Sequence, residues 1–346
     1  MEVNPTQQLF FNHIRSKMPP HLSFVDEMAG LLNISNDSAY RRIRGEKPMG
    51  LDEMQVLCNK YHVSLDQLLQ IQTNAVIFSG NKVDTTNFRF NDYLNDVANN
   101  LMLFKALPGA KMYFFTKDLP IFHFMQFPEL SAFKFFFWKR TIISEPELAR
   151  MQFTGKETDD ETVETAKKII ELYTELPSIE LWSEESVHIT IRQIEYYRQS
   201  NIFADKDILI KVYAQLEELL DHIERQAETG KKFLYSRPNV PDGARYDLYI
   251  NECLIGDNTI FVESNDRQIT VLNHNGLNFI STQDKSFCDY TLKNLQNIMR
   301  RSTPISLTGE KDRSIFFNSL REKIYDRKKN TTDSTINYPK AHSSAL

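Results

Sequence analysis

The sequence predicts two folded domains of different class: an N-terminal all-α domain of five short helices, and a C-terminal α+β domain with long helices and a small antiparallel sheet. This prediction is based on the periodicity of apolar residues. They recur at helix spacing over the first 70 residues and over much of residues 90–230, and the period changes to two between residues 246 and 282. A chain of 346 residues is long enough for two such domains.

The composition is that of an ordinary folded protein, with 41% hydrophobic and 25% charged residues. The formal net charge of -5 means that any contact with nucleic acid must come from a local basic surface. Three distant cysteines without a C-x-x-C pair indicate neither a disulfide framework nor a zinc site. No segment has the roughly 18 apolar residues of a membrane span, and the N-terminus lacks a signal-peptide pattern. We therefore expect a soluble, cytoplasmic protein with no metal, no other cofactor and no membrane partner.

Turn and linker signals set the predicted boundaries. Residues 1–72 form the helical domain, and residues 73–89 lose periodicity and collect Thr, Asn, Ser and Gly, which is typical of a linker. Residues 90–327 form the α+β domain. The polar tail, residues 328–346, is predicted to be disordered.

Periodicity also predicts the elements of the C-terminal domain. Helices are expected over 90–107, 159–176, 184–199, 205–229, 284–301 and 310–327. Strands are expected over 111–116, 246–254, 259–263, 268–273 and 277–282. Turn sequences such as Asn275-Gly276 separate the last four strands, which predicts an antiparallel meander.

Residues 24–45 have the pattern of two helices joined by a tight turn. Ser23 and Ser35 stand directly before the two helices as N-cap residues. Ala29 is small enough for a close crossing of helices, and Asn33 can adopt the left-handed backbone of the turn. The N-terminal domain is therefore predicted to be a five-helix helix-turn-helix domain.

The second of these helices has one apolar face and one polar face. At about 100° per residue, Ala39 and Ile43 share the inner face. The opposite face carries Asp37, Arg41 and Arg44, with Ser38 and Tyr40 at its edges. A helix in the major groove of DNA needs such side chains, because polar groups contact base edges and cations contact guanine or phosphate.

This segment resembles the lambda-repressor-like, or Xre-type, helix-turn-helix family, and the resemblance extends through residues 49–69, which include VSLDQLL at 63–69. It covers roughly one fifth of the chain. The resemblance implies a transcription regulator whose recognition helix begins after Ser35. It also implies that five residues lie near double-stranded DNA: Asn36, Asp37, Ser38, Arg41 and Arg44. Tyr40, on the same face, and Lys47, a candidate phosphate contact, complete the predicted DNA-binding site.

The predicted DNA-binding domain is close to neutral. Residues 1–72 contain seven lysine and arginine residues against eight acidic residues. Such a domain would bind DNA weakly as a monomer, so we expect a homodimer, in which two half-sites double the contacts. The long helix predicted at 205–229 is a candidate dimer element, although an amphipathic helix of this kind more often packs into its own core.

The aromatic segment between residues 122 and 138 contains more rings than one core requires. Such rings can line a pocket for an apolar or planar effector, although aromatic clusters more often pack as core. Histidine and tryptophan would add polar tips that orient a ligand. The candidate effector-binding residues are Phe122, His123, Trp138 and Trp182.

The predicted function is a sequence-specific DNA-binding transcription regulator, with repression as the default and a ligand-sensing C-terminal domain. Other interpretations stay open: a plain helical bundle, a helix-turn-helix that contacts protein, a non-enzymatic interaction scaffold, or a hydrolase or nucleotide-processing enzyme with an appended DNA-binding domain.

We predict no enzymatic activity and no catalytic residues, because the phosphate-loop, H-E-x-x-H and G-x-S-x-G motifs are absent from the sequence. A catalytic cluster would require tertiary structure to bring together His188, His222 and His274.

Overall fold

The computed structural model describes residues 4–19, 22–69, 75–80, 88–237, 243–252, 258–274 and 276–333. The chain divides into two compact units, Met1–Ile77 (unit 1) and Phe78–Leu346 (unit 2). In these described ranges, no helix combines the length and the apolar composition that crossing a membrane requires.

Unit 1 contains five helices in its described part. They are α1 (Pro5–Ser16), α2 (Phe24–Leu32), α3 (Asn36–Ile43), α4 (Leu51–Tyr61) and α5 (Leu65–Leu68). The side chains of Ser23 and Ser35 accept hydrogen bonds from backbone N–H groups in the first turns of α2 and α3, at the positions expected from the sequence. At α4 the cap is Gly50, whose N–H donates to Glu53 Oε2 at 3.1 Å.

The core of unit 1 draws buried side chains from α1 to α4 and the segment that follows α4. Its buried residues are Phe10, Phe11, Ile14, Met28, Ala29, Ala39, Leu57 and Val63. Two of the smallest, Ala29 and Ala39, let α2 and α3 pack closely. Asn33 closes the turn between these helices with φ 52° and ψ 50°, which is the left-handed conformation predicted for it.

The described part of unit 2 is built on one seven-stranded sheet. The strands are β1 (Lys111–Phe115), β2 (Ser178–Trp182), β3 (Tyr246–Ile250), β4 (Thr259–Glu263), β5 (Gln268–His274), β6 (Asn278–Thr282) and β7 (Thr303–Pro304). Their order is β6-β5-β4-β1-β2-β3-β7. The pairs β1–β2 and β2–β3 are parallel, and the other pairs are antiparallel, so the sheet is mixed.

The prediction of a small antiparallel sheet is wrong in size and in strand direction. Of the four strands expected to form the meander, only the last three do so, as β4, β5 and β6, and they form one side of a larger sheet. The strand expected over 246–254 is β3, which lies on the other side of the sheet, parallel to β2 and antiparallel to β7. Sequence analysis missed β2 because all five of its residues are buried, so the strand lacks the alternation that marks a half-exposed strand. Helices connect β1 to β2 and β2 to β3, and such long crossovers allow neighbouring strands to run parallel.

Helices cover both faces of the sheet. They are α6 (Phe90–Lys105), α7 (Ile121–Phe124), α8 (Pro128–Phe137), α9 (Asp160–Thr174), α10 (Glu184–Gln199), α11 (Lys206–Thr229), α12 (Lys285–Met299) and α13 (Glu310–Asp333). Met112 and Phe114 of β1 belong to the core that includes α6 and α9, whereas Tyr113 and Phe115 pack with α12. Pro128 is the first residue of α8, where its missing N–H leaves no helical hydrogen bond unmade.

The long helix α11 is a core element. Its buried apolar residues are Ile208, Leu209, Val212, Tyr213, Leu216, Leu219, Leu220, Ile223 and Ala227. They pack within unit 2 together with residues of α8 and α13. The interpretation of residues 205–229 as a dimer element through this apolar stripe is therefore wrong, because the stripe is already covered inside the unit.

The helix α13 continues to Asp333, so the predicted disordered tail begins too early. Lys328, the first residue of that predicted tail, lies within the helix. Its Nζ is 2.6 Å from Glu217 Oε2 on α11, and this ion pair joins the two helices. Residues 334–346 of the predicted tail lie outside the described residues.

Part of the predicted linker adds to the sheet edge of unit 2. Ser79 and Ser281 of β6 exchange backbone hydrogen bonds of 2.8 and 2.7 Å. The ring of Phe78 lies 5.3 Å from that of Phe287 on α12. An edge strand has unpaired backbone groups, and Ser79 of the linker segment forms hydrogen bonds with those of Ser281. Residues 73, 74 and 81–87 of this linker lie outside the described residues.

Candidate nucleic-acid interface

The N-terminal part of α3 presents polar side chains. Asn36 and Asp37 are exposed, and Ser38 is half-buried. Asn36 Nδ2 donates to Asp26 Oδ1 on α2 at 2.8 Å, so a side-chain hydrogen bond joins the two helices at this turn. In helix-turn-helix proteins, the N-terminal part of the recognition helix enters the major groove.

The C-terminal half of α3 presents aromatic and cationic side chains. Tyr40 is 46% exposed, and the side chains of Arg41 and Arg44 are 45% and 57% exposed. Lys47 is exposed in the loop that follows the helix. Its N–H donates to Arg41 O at 3.2 Å, which places this loop beside the end of α3.

Glu46 moderates the positive charge of this surface. Its Oε1 lies 3.6 Å from Arg44 Nη1, and its Oε2 lies 4.0 Å from Arg41 Nε. One carboxylate thus faces two guanidinium groups on the exposed side of α3. These contacts are solvent-exposed, so the ion pairs are weak and a stronger anion can replace the carboxylate.

Arg42, by contrast, is buried and belongs to the fold. Its guanidinium contacts both carboxylate oxygens of Glu53 on α4, at 2.7 and 2.9 Å. The hydrogen bonds from Arg42 lower the pKa of Glu53, against the effect of partial burial. Only Arg41 and Arg44 among the three arginines of this segment therefore extend from α3 into solvent.

Gln7 on α1 holds the loop that follows α3. Its Nε2 donates to Arg42 O at 2.7 Å and to Lys47 O at 2.8 Å. Its Oε1 accepts from Met49 N at 3.1 Å. Sequence analysis missed this residue, because a glutamine on an amphipathic helix carries no signal of a distant backbone partner.

In unit 2, two predicted effector-binding residues meet at a buried carboxylate. Glu180 on β2 is fully buried, and His123 and Trp182 are each 1% exposed. Glu180 Oε2 lies 2.9 Å from His123 Nε2 and accepts from Trp182 Nε1 at 3.0 Å. The hydroxyls of Tyr173 and Tyr246 donate to the same carboxylate. We call these five side chains the Glu180 cluster; sequence analysis did not identify Glu180 or either tyrosine.

The Glu180 cluster is a hydrogen-bonded core network. Burial alone would raise the pKa of Glu180, but the neighbouring His123 and the hydrogen bonds to the carboxylate hold this pKa below its ordinary value. Lys232 is also buried, which holds its pKa well below the ordinary value although Glu180 opposes the shift. Lys232 Nζ donates to Tyr173 O and Leu176 O at the C-terminal end of α9. These enclosed groups join β2 to the surrounding helices.

The other two predicted effector-binding residues have aromatic neighbours. Phe122 stacks on Tyr173 with ring centroids 4.5 Å apart, so it borders the Glu180 cluster. The ring of Trp138 lies 6.2 Å from that of Phe90 and 6.0 Å from that of Phe135. Phe122 and Trp138 thus pack as parts of the aromatic core.

Two clefts in the described part of unit 2 have different linings. One, of about 240 Å³, is lined by Lys111, Pro177, Ser178, Ile179, Arg245, Asp247 and Tyr249. The other, of about 410 Å³, is lined by His188, Ile191, Lys323, Asp326 and Arg327. The four predicted effector-binding residues line neither cleft.

The histidines considered for a catalytic cluster have different neighbours. The ring of His222 contacts the amides of Gln126 and Gln226, and desolvation lowers the pKa of His222 to about 3. His188 Nδ1 lies 3.3 Å from Glu185 Oε1 on its own helix. Across the described ranges, no three His, Cys, Asp or Glu side chains are placed to hold a metal ion.

Comparison with protein-family models, curated proteins and solved structures finds no match for this chain. The case for a nucleic-acid interface therefore depends on the residues of α2, α3 and the loop after α3. Their geometry provides a capped, exposed polar helix with two exposed guanidinium groups that both lie beside Glu46.

Proposed function

We propose that this protein is a sequence-specific transcription regulator that binds double-stranded DNA by inserting α3 into the major groove. The observation that supports the proposal is the exposed polar face of α3, on a helix fixed by a left-handed turn before it. Asn36, Asp37 and Ser38 are suited to contact base edges, because they lie at the N-terminal end. Arg41 and Arg44 supply guanidinium forks for guanine or phosphate.

A homodimer is part of the proposal, because the positive charge of the surface is local and modest. Glu46 offsets Arg41 and Arg44, so a single copy would gain limited electrostatic affinity from phosphate contacts. Two copies on a two-fold symmetric site double the contacts and fix the spacing of the half-sites. We assign self-association and any response to a small-molecule effector to unit 2. Occlusion of a promoter by such a dimer would repress transcription.

The test is binding of purified full-length protein to a randomised duplex library at fixed, near-physiological salt. We expect enrichment of a two-fold symmetric site with half-sites about 34–36 Å apart. Arg41→Ala should reduce the enrichment. Arg192→Ala removes another exposed arginine, on α10, and should leave the enrichment unchanged. Recovery of no preferred sequence by the wild-type protein would refute the proposal.

A further inference from the structure

Tyr40 and Arg44 form a preorganised pair on the exposed face of α3. The Cζ atom of Arg44 lies 4.4 Å from the centroid of the Tyr40 ring, and Arg44 Nη2 donates to the Tyr40 hydroxyl at 3.0 Å. Residues four positions apart are neighbours on a helix, so the helix itself sets up this contact. The Tyr40 ring is an aromatic group on an otherwise polar face, and Tyr40 as a residue is 46% exposed.

Arg44 keeps hydrogen-bonding capacity within this pair. A guanidinium has five N–H donors in a planar fork. The Tyr40 hydroxyl uses one donor, and Glu46 Oε1 lies 3.6 Å from Nη1. Stacking on the ring restricts the side chain before any ligand arrives, so less conformational entropy is lost on binding.

The chemistry of the pair fits two neighbouring groups in the major groove. A guanidinium fork donates two hydrogen bonds to O6 and N7 of guanine, and an apolar side chain contacts the C5-methyl group of thymine. Consecutive bases are about 3.4 Å apart along one strand. The spacing of 4.4 Å between guanidinium and ring is similar, so the pair matches adjacent bases.

We infer that the Tyr40–Arg44 pair reads a step in which a 5-methylpyrimidine precedes guanine, with Arg44 on the guanine and Tyr40 on the methyl group. Thymine–guanine and 5-methylcytosine–guanine are the steps of this kind, because both pyrimidines carry the methyl group at the same place in the major groove. This inference rests on the proposed DNA-binding function and adds the base step that α3 recognises.

The DNA side is tested with full-length protein and the duplex that it enriches from the library. Uracil replaces the thymine of a thymine–guanine step and removes only the methyl group, which should weaken binding about fourfold. A duplex with 5-methylcytosine at the thymine position should bind the protein about fourfold more tightly than one with cytosine there, because it again differs only by the methyl group. Replacement of the guanine by 7-deazaguanine removes the N7 acceptor and should weaken binding about tenfold.

The role of Tyr40 is tested by measuring how much more tightly each variant binds the thymine duplex than the uracil duplex. If Tyr40 had only a structural role, its substitution would leave this preference for the methyl group unchanged. Tyr40→Ala should bind the thymine and uracil duplexes equally, even where its overall affinity is lower. Tyr40→Phe keeps the ring and should keep the preference for the methyl group. Arg44→Lys should lose discrimination between guanine and 7-deazaguanine, because an ammonium group cannot make the planar bidentate contact. Tyr290→Ala removes an exposed tyrosine on α12 and should behave as wild type.

The outcomes distinguish this inference from the function on which it rests. If the library returns no preferred sequence, the proposed function fails and the inference fails with it. If a preferred sequence lacks thymine–guanine steps, or tolerates uracil and 7-deazaguanine in them, the inference fails while DNA binding stands. If Tyr40→Ala retains the methyl sensitivity of wild type, the assignment of the methyl contact to Tyr40 is overturned.

Discussion

Arg42 and Glu53 form a two-point ion pair that joins α3 to α4. The two N···O distances are 2.7 and 2.9 Å, and the side chains are 9% and 22% exposed. Glu53 also accepts the N–H of Gly50 at the start of α4. Arg42 lies within α3, but its charge is paired with Glu53 and stabilises unit 1.

Arg42→Met is expected to destabilise unit 1 by about 2–3 kcal/mol, because it leaves the Glu53 carboxylate partly buried without its countercharge. Amide hydrogen exchange in α3 and α4 of the full-length protein measures this loss. Arg41→Met is the matched control, since Arg41 is exposed, and should change stability by less than about 0.5 kcal/mol. Equal exchange rates in the two variants would show that the ion pair is not stabilising.

The same ion pair predicts acid sensitivity of unit 1. Hydrogen bonds from Arg42 hold the pKa of Glu53 below its ordinary value of 4.5. Because the folded-state pKa is the lower one, the stabilisation is fully present above about pH 4.5 and is lost as the pH falls through the folded-state value. Glu53→Gln should therefore be less stable than wild type at neutral pH, and the difference should shrink at an acidic pH below the folded-state pKa of Glu53. Hydrogen exchange in α4 at the two pH values checks this, and a constant difference would contradict it.

Arg41 and Lys47 are expected to contribute differently to DNA binding. Arg41→Ala should lower specific binding by about 1–3 kcal/mol and relax the preference at one base pair, as for a base contact. Lys47→Ala should weaken binding to all sequences alike, as for a phosphate contact. It should also reduce the slope of the logarithm of the binding constant against the logarithm of the salt concentration by about 1. Titration of the enriched duplex and an unrelated duplex at several salt concentrations separates the two effects. Unchanged binding by both variants would disprove the assignment of this site.

Glu46→Gln is expected to tighten DNA binding about fivefold, because it removes a negative charge that faces both exposed arginines of α3. The gain should appear with specific and unrelated duplexes and should shrink as salt increases. Glu164→Gln, at a highly exposed position on α9, is the control for a general change in net charge. Weaker binding by Glu46→Gln would mean that the carboxylate positions the arginines instead of competing with DNA.

Glu180→Gln is expected to destabilise unit 2 by about 3–5 kcal/mol, because an amide cannot accept all the hydrogen bonds of the buried carboxylate and leaves buried donors without a partner. Both tryptophans of the chain, Trp138 and Trp182, lie in unit 2, so tryptophan fluorescence during urea unfolding reports this loss. Glu164→Gln again serves as an exposed control. A variant as stable as wild type would show that the charge of Glu180 is not needed for the fold.

Local signals were sufficient for much of unit 1. The caps Ser23 and Ser35 and the left-handed Asn33 act on backbone groups a few residues away, so the sequence around them predicts the structure. The contacts that hold the loop after α3 were not predictable in this way. Gln7 reaches Lys47 across 40 positions, and neither residue type indicates the other.

In unit 2 the sequence by itself determined where most helices begin and end, and that residues 259–282 form an antiparallel meander, but it wrongly placed the strand over 246–254 in the same meander. Only the tertiary structure decided the order of the seven strands, the parallel central pairs and the burial of Glu180 beside His123, 57 positions away. The physical reason is that periodicity reports which face of a segment is apolar, whereas strand neighbours and partners of a buried charge are selected by packing between distant segments.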